Sequence, residues 1–139
     1  MWTKGKCIIS IGEDKADGVG IFFRTHDIVI IRRRDIIPGR LLMIDCLYQG
    51  DKYRIINVYT APEARKKTKL FKRLRELLMV GYKVILSGDF NTVTAENDRC
   101  STAPFRLTTQ GKHLKLINEE AKLIDTCRSI NPFGLEFTR

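Results

Sequence analysis

Short runs of apolar, β-branched residues, separated by polar stretches that contain glycine or proline, fill the first half of the chain and predict a series of β-strands. Five strands are expected before any helix, at residues 6–11, 19–24, 28–33, 40–47 and 53–59. Pro38-Gly39 and Gly50-Asp51 mark the turns on either side of the fourth strand. The amino-terminal half should therefore be mostly β-sheet.

A helical pattern follows residue 62. Apolar residues at helical spacing predict a helix from about residue 63 to 80, ended by Gly81: Leu70, Phe71, Leu74, Leu77 and Leu78. Residues 83–86 then form an apolar run that predicts a sixth strand. A strand, a helix and a strand in succession normally place the two strands in parallel in one sheet.

The remaining third of the chain contains a polar loop, at residues 92–103, and two predicted helices. The first should span residues 109–121, with Leu114, Ile117 and Ala121 facing inward, and a shorter one should lie within residues 123–130. There is no linker, internal repeat or low-complexity segment. One domain over residues 1–139 is predicted, of layered α/β or α+β type.

Candidate chemistry appears where the sixth strand ends, in the segment Ser87-Gly88-Asp89-Phe90-Asn91. In extended backbone, side chains two residues apart lie on one face, so Asp89 and Asn91 could together hold a phosphate, a metal or its water. Alternatively, both residues only satisfy the backbone donors of a turn. Taken alone, the segment favours turn chemistry, because short motifs have many false positives.

The net charge of the chain indicates which kinds of partner it could bind. Twenty-five Lys and Arg residues against sixteen Asp and Glu give a formal net charge of +9, which favours polyanions such as nucleic acid or an anionic membrane surface. No apolar run is long enough for a membrane span and the amino terminus lacks a signal-peptide core, so a soluble intracellular protein is expected. The four cysteines have no paired short spacing, which disfavours zinc and predicts reduced, mostly buried thiols.

Five blocks, in order, resemble the endonuclease/exonuclease/phosphatase superfamily, and most closely the apurinic-like endonuclease domain of non-LTR retrotransposons of the long interspersed type. They lie at residues 18–23, 55–62, 87–92, 98–99 and 123–128. Blocks that extend over nearly the whole chain are far more specific than one pentapeptide, so they reverse the preference for turn chemistry. The resemblance implies a four-layer sandwich: two β-sheets packed face to face, with outer helices.

The resemblance also implies a reaction, the hydrolysis of DNA phosphodiester bonds in the nucleus with Mg²⁺ as cofactor. Asp89 would orient or deprotonate the attacking water, and Asn91 would position that water and a phosphate oxygen. Tyr59 would hydrogen-bond the scissile phosphate or the leaving group. Tyr59 could instead be an ordinary aromatic at a strand end, with its hydroxyl in water.

Three further positions match the family. Arg99 and Thr138 are implied to contact or border the DNA, although Asp98 and Arg99 could equally form a structural pair. Arg128 matches a family Arg and could simply support the end of its helix.

The family's metal-binding Glu and its closing Ser-Asp-His block have no match. Glu13 and Asp14 lie in a predicted loop and do not replace that Glu, and neither His26 nor His113 is assigned as a general base. The resemblance therefore predicts an incomplete domain that is weak or inactive alone. Uncovered sheet edges would favour association.

Nucleic-acid binding without catalysis is a rival hypothesis. Basic residues of the first helix, above all Lys66, Lys69 and Arg73, could lie along a nucleic-acid backbone, as could the run from Arg32 to Arg34. A solvated helix face explains the helix residues at least as well. A third possibility is an enzyme of the same fold that acts on a small phosphodiester.

Overall fold

The computed structural model describes residues 5–13, 17–99 and 102–132. Its strands are β1 (Cys7–Ile11), β2 (Gly18–Phe22), β3 (Val29–Ile37), β4 (Leu41–Tyr48), β5 (Asp51–Tyr59) and β6 (Lys83–Asp89). Its α-helices are α1 (Ala64–Leu78), α2 (Thr109–Glu120) and α3 (Thr126–Ile130), with a short 3-10 helix at Glu96–Asp98. Two compact units divide the chain, Met1–Asn91 and Thr92–Arg139.

Every predicted element is present, and five strands precede the first helix. The main difference is β3, which was expected to end at residue 33 but continues to Ile37. Two of its four added residues are charged, yet Arg34 pairs with Met43 and Asp35 with Leu42 of the neighbouring strand. An edge strand can carry exposed charges and still keep its backbone hydrogen bonds to the neighbouring strand. The charged residues after position 33 therefore led to a predicted end of β3 that is four residues too early.

The strands of the first unit form two sheets. One contains β1 and β2, and the other has the order β3-β4-β5-β6. All neighbours pair antiparallel except β5 and β6, which are parallel. The parallel pair predicted on either side of α1 is therefore confirmed.

The two sheets pack face to face over a shared apolar cluster: Val19, Ile21, Phe23, Ile28, Leu42, Ile44 and Cys46. Fully burying such an aliphatic side chain stabilises the fold by about 1.5–3 kcal/mol. Polar contacts add to the cluster, since Asn57 Nδ2 donates to the Gly20 carbonyl at 2.7 Å. Arg33 Nη2 likewise donates from β3 to the Ile9 carbonyl of β1 at 2.9 Å.

The opposite face of the larger sheet carries α1. Side chains alternate along a strand, so Asp45 of β4 points away from the cluster that includes Ile44 and Cys46. Asp45 accepts two hydrogen bonds from Arg54, at 2.7 and 2.8 Å, and Arg54 also donates to the Leu77 carbonyl of α1 at 2.8 Å. The hydrogen bond to Asp45 raises the pKa of Arg54 above its usual value.

The first unit thus contains three layers: the small sheet, the larger sheet and α1. The expected α/β class, with two sheets packed face to face and an outer helix, is confirmed. The fourth layer of the expected sandwich stays a prediction.

The second unit is built from helices and loops with capped helix starts. Thr108 accepts a hydrogen bond from the Gly111 N–H at the start of α2, and Asp125 accepts one from the Arg128 N–H at the start of α3, both at 3.0 Å. Leu114 and Ile117 are buried as expected, whereas Ala121 lies one residue past the helix and is half-buried.

The expectation of mostly buried thiols is wrong for two cysteines. Cys46 is buried, and burial raises the pKa of its thiol, but Cys7 and Cys127 are exposed. Side chains alternate along a strand, so Cys7 shares the exposed face of β1 with Ile9 and Ile11. Cys127 lies on α3, which has no buried residue. Cys100 lies outside the described residues.

Large apolar side chains are exposed on outer strands, including Phe22 of β2, Val29 of β3 and Ile85 of β6. Association through the sheet edges is compatible with these positions and stays a prediction. Across the described residues, no helix has both the length and the apolar character needed to cross a bilayer.

Gly88 permits close contact between β6 and β5. Its φ is 139°, and an added Cβ would lie 2.0 Å from the Val58 carbonyl oxygen. We expect Gly88→Ala to lower the free energy of unfolding by at least about 1–3 kcal/mol, the cost of backbone strain alone. Urea unfolding followed by circular dichroism measures this change. Gly81→Ala is the matched control, because its Cβ would meet nothing within 4 Å; equal stability of the two variants would contradict the prediction.

Candidate active site

Tyr59 and Asp89 lie side by side although they are far apart in the sequence. They are register partners at the carboxyl ends of the parallel strands β5 and β6. One further hydrogen bond continues the pairing, from the Thr60 N–H to the Asp89 carbonyl at 2.9 Å. The sheet therefore brings two of the predicted catalytic residues to one rim.

Asn91 reaches the same rim through a tight turn. Its backbone N–H donates to Asp89 Oδ1 at 2.9 Å, and its φ is 44°, a left-handed conformation that Asn tolerates better than most residues. The expectation of extended backbone from Asp89 to Asn91 is wrong, because β6 ends at Asp89. The turn hydrogen bond weighed as an alternative is present, and it uses one of the roughly four acceptor positions of a carboxylate.

The side chain of Asn91 joins the two loops that follow β5 and β6. Asn91 Nδ2 donates to the Thr60 carbonyl at 2.9 Å. Thr60 is buried, and its hydroxyl donates to the Phe90 carbonyl. These crossed hydrogen bonds fix the amide that was predicted to position water and a phosphate oxygen.

Lys67 belongs to this rim and was missed by the sequence interpretation, which grouped it with the other basic residues of α1. Its side chain is buried, and its ammonium donates to the Asn91 carbonyl. Burial lowers the pKa of Lys67, and the nearby Asp89 carboxylate opposes that effect by raising it. The spacing from Lys67 to Leu70, Phe71 and Leu74 was the available signal, because it continues the apolar stripe of the helix.

Arg40 is the second missed residue. Its guanidinium carbon lies 4.7 Å from the centroid of the Tyr59 ring, a cation–π distance. The Arg40 carbonyl accepts from the Tyr59 N–H at 2.8 Å, and Arg40 Nη2 lies 2.5 Å from Asp17 Oδ1. The Tyr59 ring is thereby held by the residue that precedes β4, which gives its hydroxyl a defined position.

Arg99 and Arg128, two residues of the second unit that match the family, make hydrogen bonds to residues of that same unit. Arg99 Nη2 donates to the Ala103 carbonyl at 3.2 Å. Asp98 pairs with Arg128, at 3.1 Å, rather than with Arg99. Arg128 was expected to support the end of its own helix; in the structure it contacts the 3-10 segment, where it also donates to the Asn97 carbonyl at 2.8 Å. Thr138 lies outside the described residues.

The three basic residues singled out on α1 all face solvent. Lys66 pairs with Glu63 at 3.4 Å, and Arg73 pairs with Glu76 at 3.3 Å. Exposed pairs of this kind contribute little to stability, so both cations remain able to exchange partners.

The side chains at this rim do not by themselves fit the Mg²⁺ site that the resemblance implies. Among the described residues, no three His, Cys, Asp or Glu side chains come together as a metal site. The ammonium of Lys67 already lies close enough to the Asp89 carboxylate to interact with it. A second cation beside that ammonium would be repelled.

Comparison with known proteins gives one curated relative in sequence. The chain is 26% identical over 123 residues to the "Transposon TX1 uncharacterized 149 kDa protein" of Xenopus laevis. The match covers 86% of this chain and 9% of that protein, so the chain spans about a tenth of its relative. No protein-family model matches.

Solved structures are similar in fold. The endonuclease domain of TRAS1, a telomere-specific non-LTR retrotransposon, matches with a TM-score of 0.57 and 12% identity, over 83% of this chain and 52% of that one. A humanized D. rerio TDP2 matches at a TM-score of 0.45 and 19% identity, over 63% of this chain and 41% of that one. The chain therefore has the fold of a non-LTR retrotransposon endonuclease domain and is similar in sequence to a transposon protein, which confirms the resemblance seen in its motifs.

Proposed function

We propose that this chain carries part of a nuclease site that hydrolyses DNA phosphodiester bonds. The observation that supports this proposal is the pairing of Tyr59 with Asp89 at one rim, with Asn91 bound to the loops of both strands. The similarity in fold to a retrotransposon endonuclease domain favours DNA, rather than another phosphodiester, as the proposed substrate of this chain. With DNA as substrate, the protein would act in the nucleus.

The proposed chemistry assigns one task to each residue. Asp89 orients water and accepts its proton as the water oxygen attacks phosphorus. The Asn91 amide holds that water and a phosphate oxygen, and the Tyr59 hydroxyl hydrogen-bonds the leaving 3′ oxygen as the P–O bond breaks. Hydrolysis by the chain alone is expected to be weak, because no three His, Cys, Asp or Glu side chains among the described residues form a ligand cluster for the implied Mg²⁺.

Two substrates test these roles separately in buffer that contains Mg²⁺. A p-nitrophenyl phosphodiester has a leaving group that needs no stabilisation, whereas supercoiled plasmid has an alkoxide leaving group. We expect Asp89→Asn to slow both reactions by about 10²–10⁴-fold, the range for loss of a general base. Tyr59→Phe should slow plasmid nicking more than aryl ester hydrolysis.

The controls are Asp27→Asn, an exposed turn aspartate, and Tyr82→Phe, a tyrosine beside Arg54. Neither should change either rate. Hydrolysis that is insensitive to Asp89→Asn would contradict the proposed site. Aryl ester hydrolysis without any plasmid nicking would favour the branch of this fold that acts on small phosphodiesters.

The solvent face of α1 supports a second candidate function, the binding of nucleic acid without catalysis. Six exposed basic residues share this helix: Arg65, Lys66, Lys69, Lys72, Arg73 and Arg75. Glu63 and Glu76 are the acidic partners that Lys66 and Arg73 contact. An excess of positive charge on an exposed helix is suited to the phosphate backbone, and it would act regardless of sequence.

Charge reversal tests this binding surface. Changing Lys66, Lys69 and Arg73 to Glu should weaken DNA binding and reduce the slope of log K against log salt by roughly 0.9 for each phosphate that the helix no longer neutralises. Fluorescence anisotropy over a salt series measures both quantities. The matched control changes Arg106, Lys112 and Lys115 to Glu, exposed residues of the second unit, with the same change in net charge. Equal weakening in both triple variants would show that net charge, and not α1, determines binding.

A further inference from the structure

Lys67 occupies a position that is unfavourable for an ammonium group. It lies in the first turn of α1, where the helix dipole disfavours a cation, and it is buried while the other six basic residues of the helix are exposed. Burying a charge costs free energy unless the group is paired and hydrogen-bonded. Solvation of a helix face therefore does not explain this residue.

The contacts of Lys67 explain its position. Its ammonium donates to the Asn91 carbonyl and interacts favourably with the Asp89 carboxylate. Asn91 is then held at three points, because its N–H bonds Asp89 and its side-chain amide bonds Thr60. Such a set of contacts fixes both the left-handed backbone of Asn91 and the direction of its side chain.

We infer that Lys67 is a positioning residue of the nuclease site: its ammonium fixes the turn from Asp89 to Asn91 by bonding the Asn91 carbonyl and pairing electrostatically with Asp89. This role rests on the proposed function and adds a residue to it. Lys67 acts through Asp89 and Asn91 and needs no contact with the substrate. Sites held in a productive geometry by such supporting contacts require less rearrangement during the reaction.

The first measurement is hydrogen exchange of the Asn91 N–H in the full chain. Lys67→Met should raise its exchange rate at least about tenfold, whereas Lys67→Arg should restore most of the protection. Lys115→Met, at an exposed helical lysine, should have no effect. The Ile44 N–H of β4 reports global stability, and its exchange should stay constant. Unchanged exchange of the Asn91 N–H in Lys67→Met would overturn the inference.

The second measurement detects the charge interaction, which a packing role alone would not affect. The pKa of Lys67 is lowered by burial and raised by Asp89, so removing that carboxylate should lower it further. Titration of the lysine side chains by NMR should therefore give a lower midpoint for Lys67 in Asp89→Asn than in the wild type. Asp27→Asn should leave the midpoint unchanged. An unaltered midpoint in Asp89→Asn would overturn the electrostatic part of the inference.

Aryl phosphodiester hydrolysis separates this inference from the proposed function. Lys67→Met should lower kcat about tenfold with little change in KM, because the ammonium positions reacting groups and does not bind the ester. Equal kcat in Lys67→Met and the wild type would overturn the positioning role. If the wild type does not hydrolyse the ester but the exchange and titration results are as expected, the nuclease proposal fails and the structural role of Lys67 stands.

Discussion

The parallel pairing of β5 with β6 is the constraint on which the candidate site depends. The crossover through α1 returns the chain beside β5 in a register that aligns Tyr59 with Asp89. A shift of one residue would send one of these side chains to the other face of the sheet. Gly88 maintains the close approach, because any larger residue would meet the Val58 backbone. Gly88 is therefore as necessary to the geometry of the candidate site as Asp89.

Helix α1 is attached to the sheet at both ends by a cation bound to a backbone carbonyl. Near its carboxyl end, Arg54 of β5 donates to the Leu77 carbonyl while it pairs with Asp45. Near its amino end, Lys67 of the helix donates to the Asn91 carbonyl. The apolar stripe between these ends buries one face of the helix. The two directional contacts add to that packing, and the contact from Lys67 also holds the candidate site.

Local patterns were sufficient to predict the strands, the helices and the parallel pair, because each depends on the period of apolar residues within one element. They were insufficient for Lys67 and Arg40, whose roles come from residues elsewhere in the sequence. Lys67 still left a trace, since it falls on the apolar stripe of α1. Arg40 follows a turn and gives no such signal, because its contact with the Tyr59 ring is created by the pairing of β4 with β5.

Turn chemistry and catalytic chemistry were weighed as alternatives for Asp89 and Asn91, but the structure makes them compatible. The hydrogen bond from the Asn91 N–H to Asp89 caps a turn and also fixes the orientation of the carboxylate. A carboxylate has about four acceptor positions, and this backbone bond uses one of them. Ordering these groups costs conformational entropy whether or not a substrate binds. Because folding has already ordered these groups, the reaction does not have to order them, so a well-capped turn is a suitable place for a catalytic carboxylate.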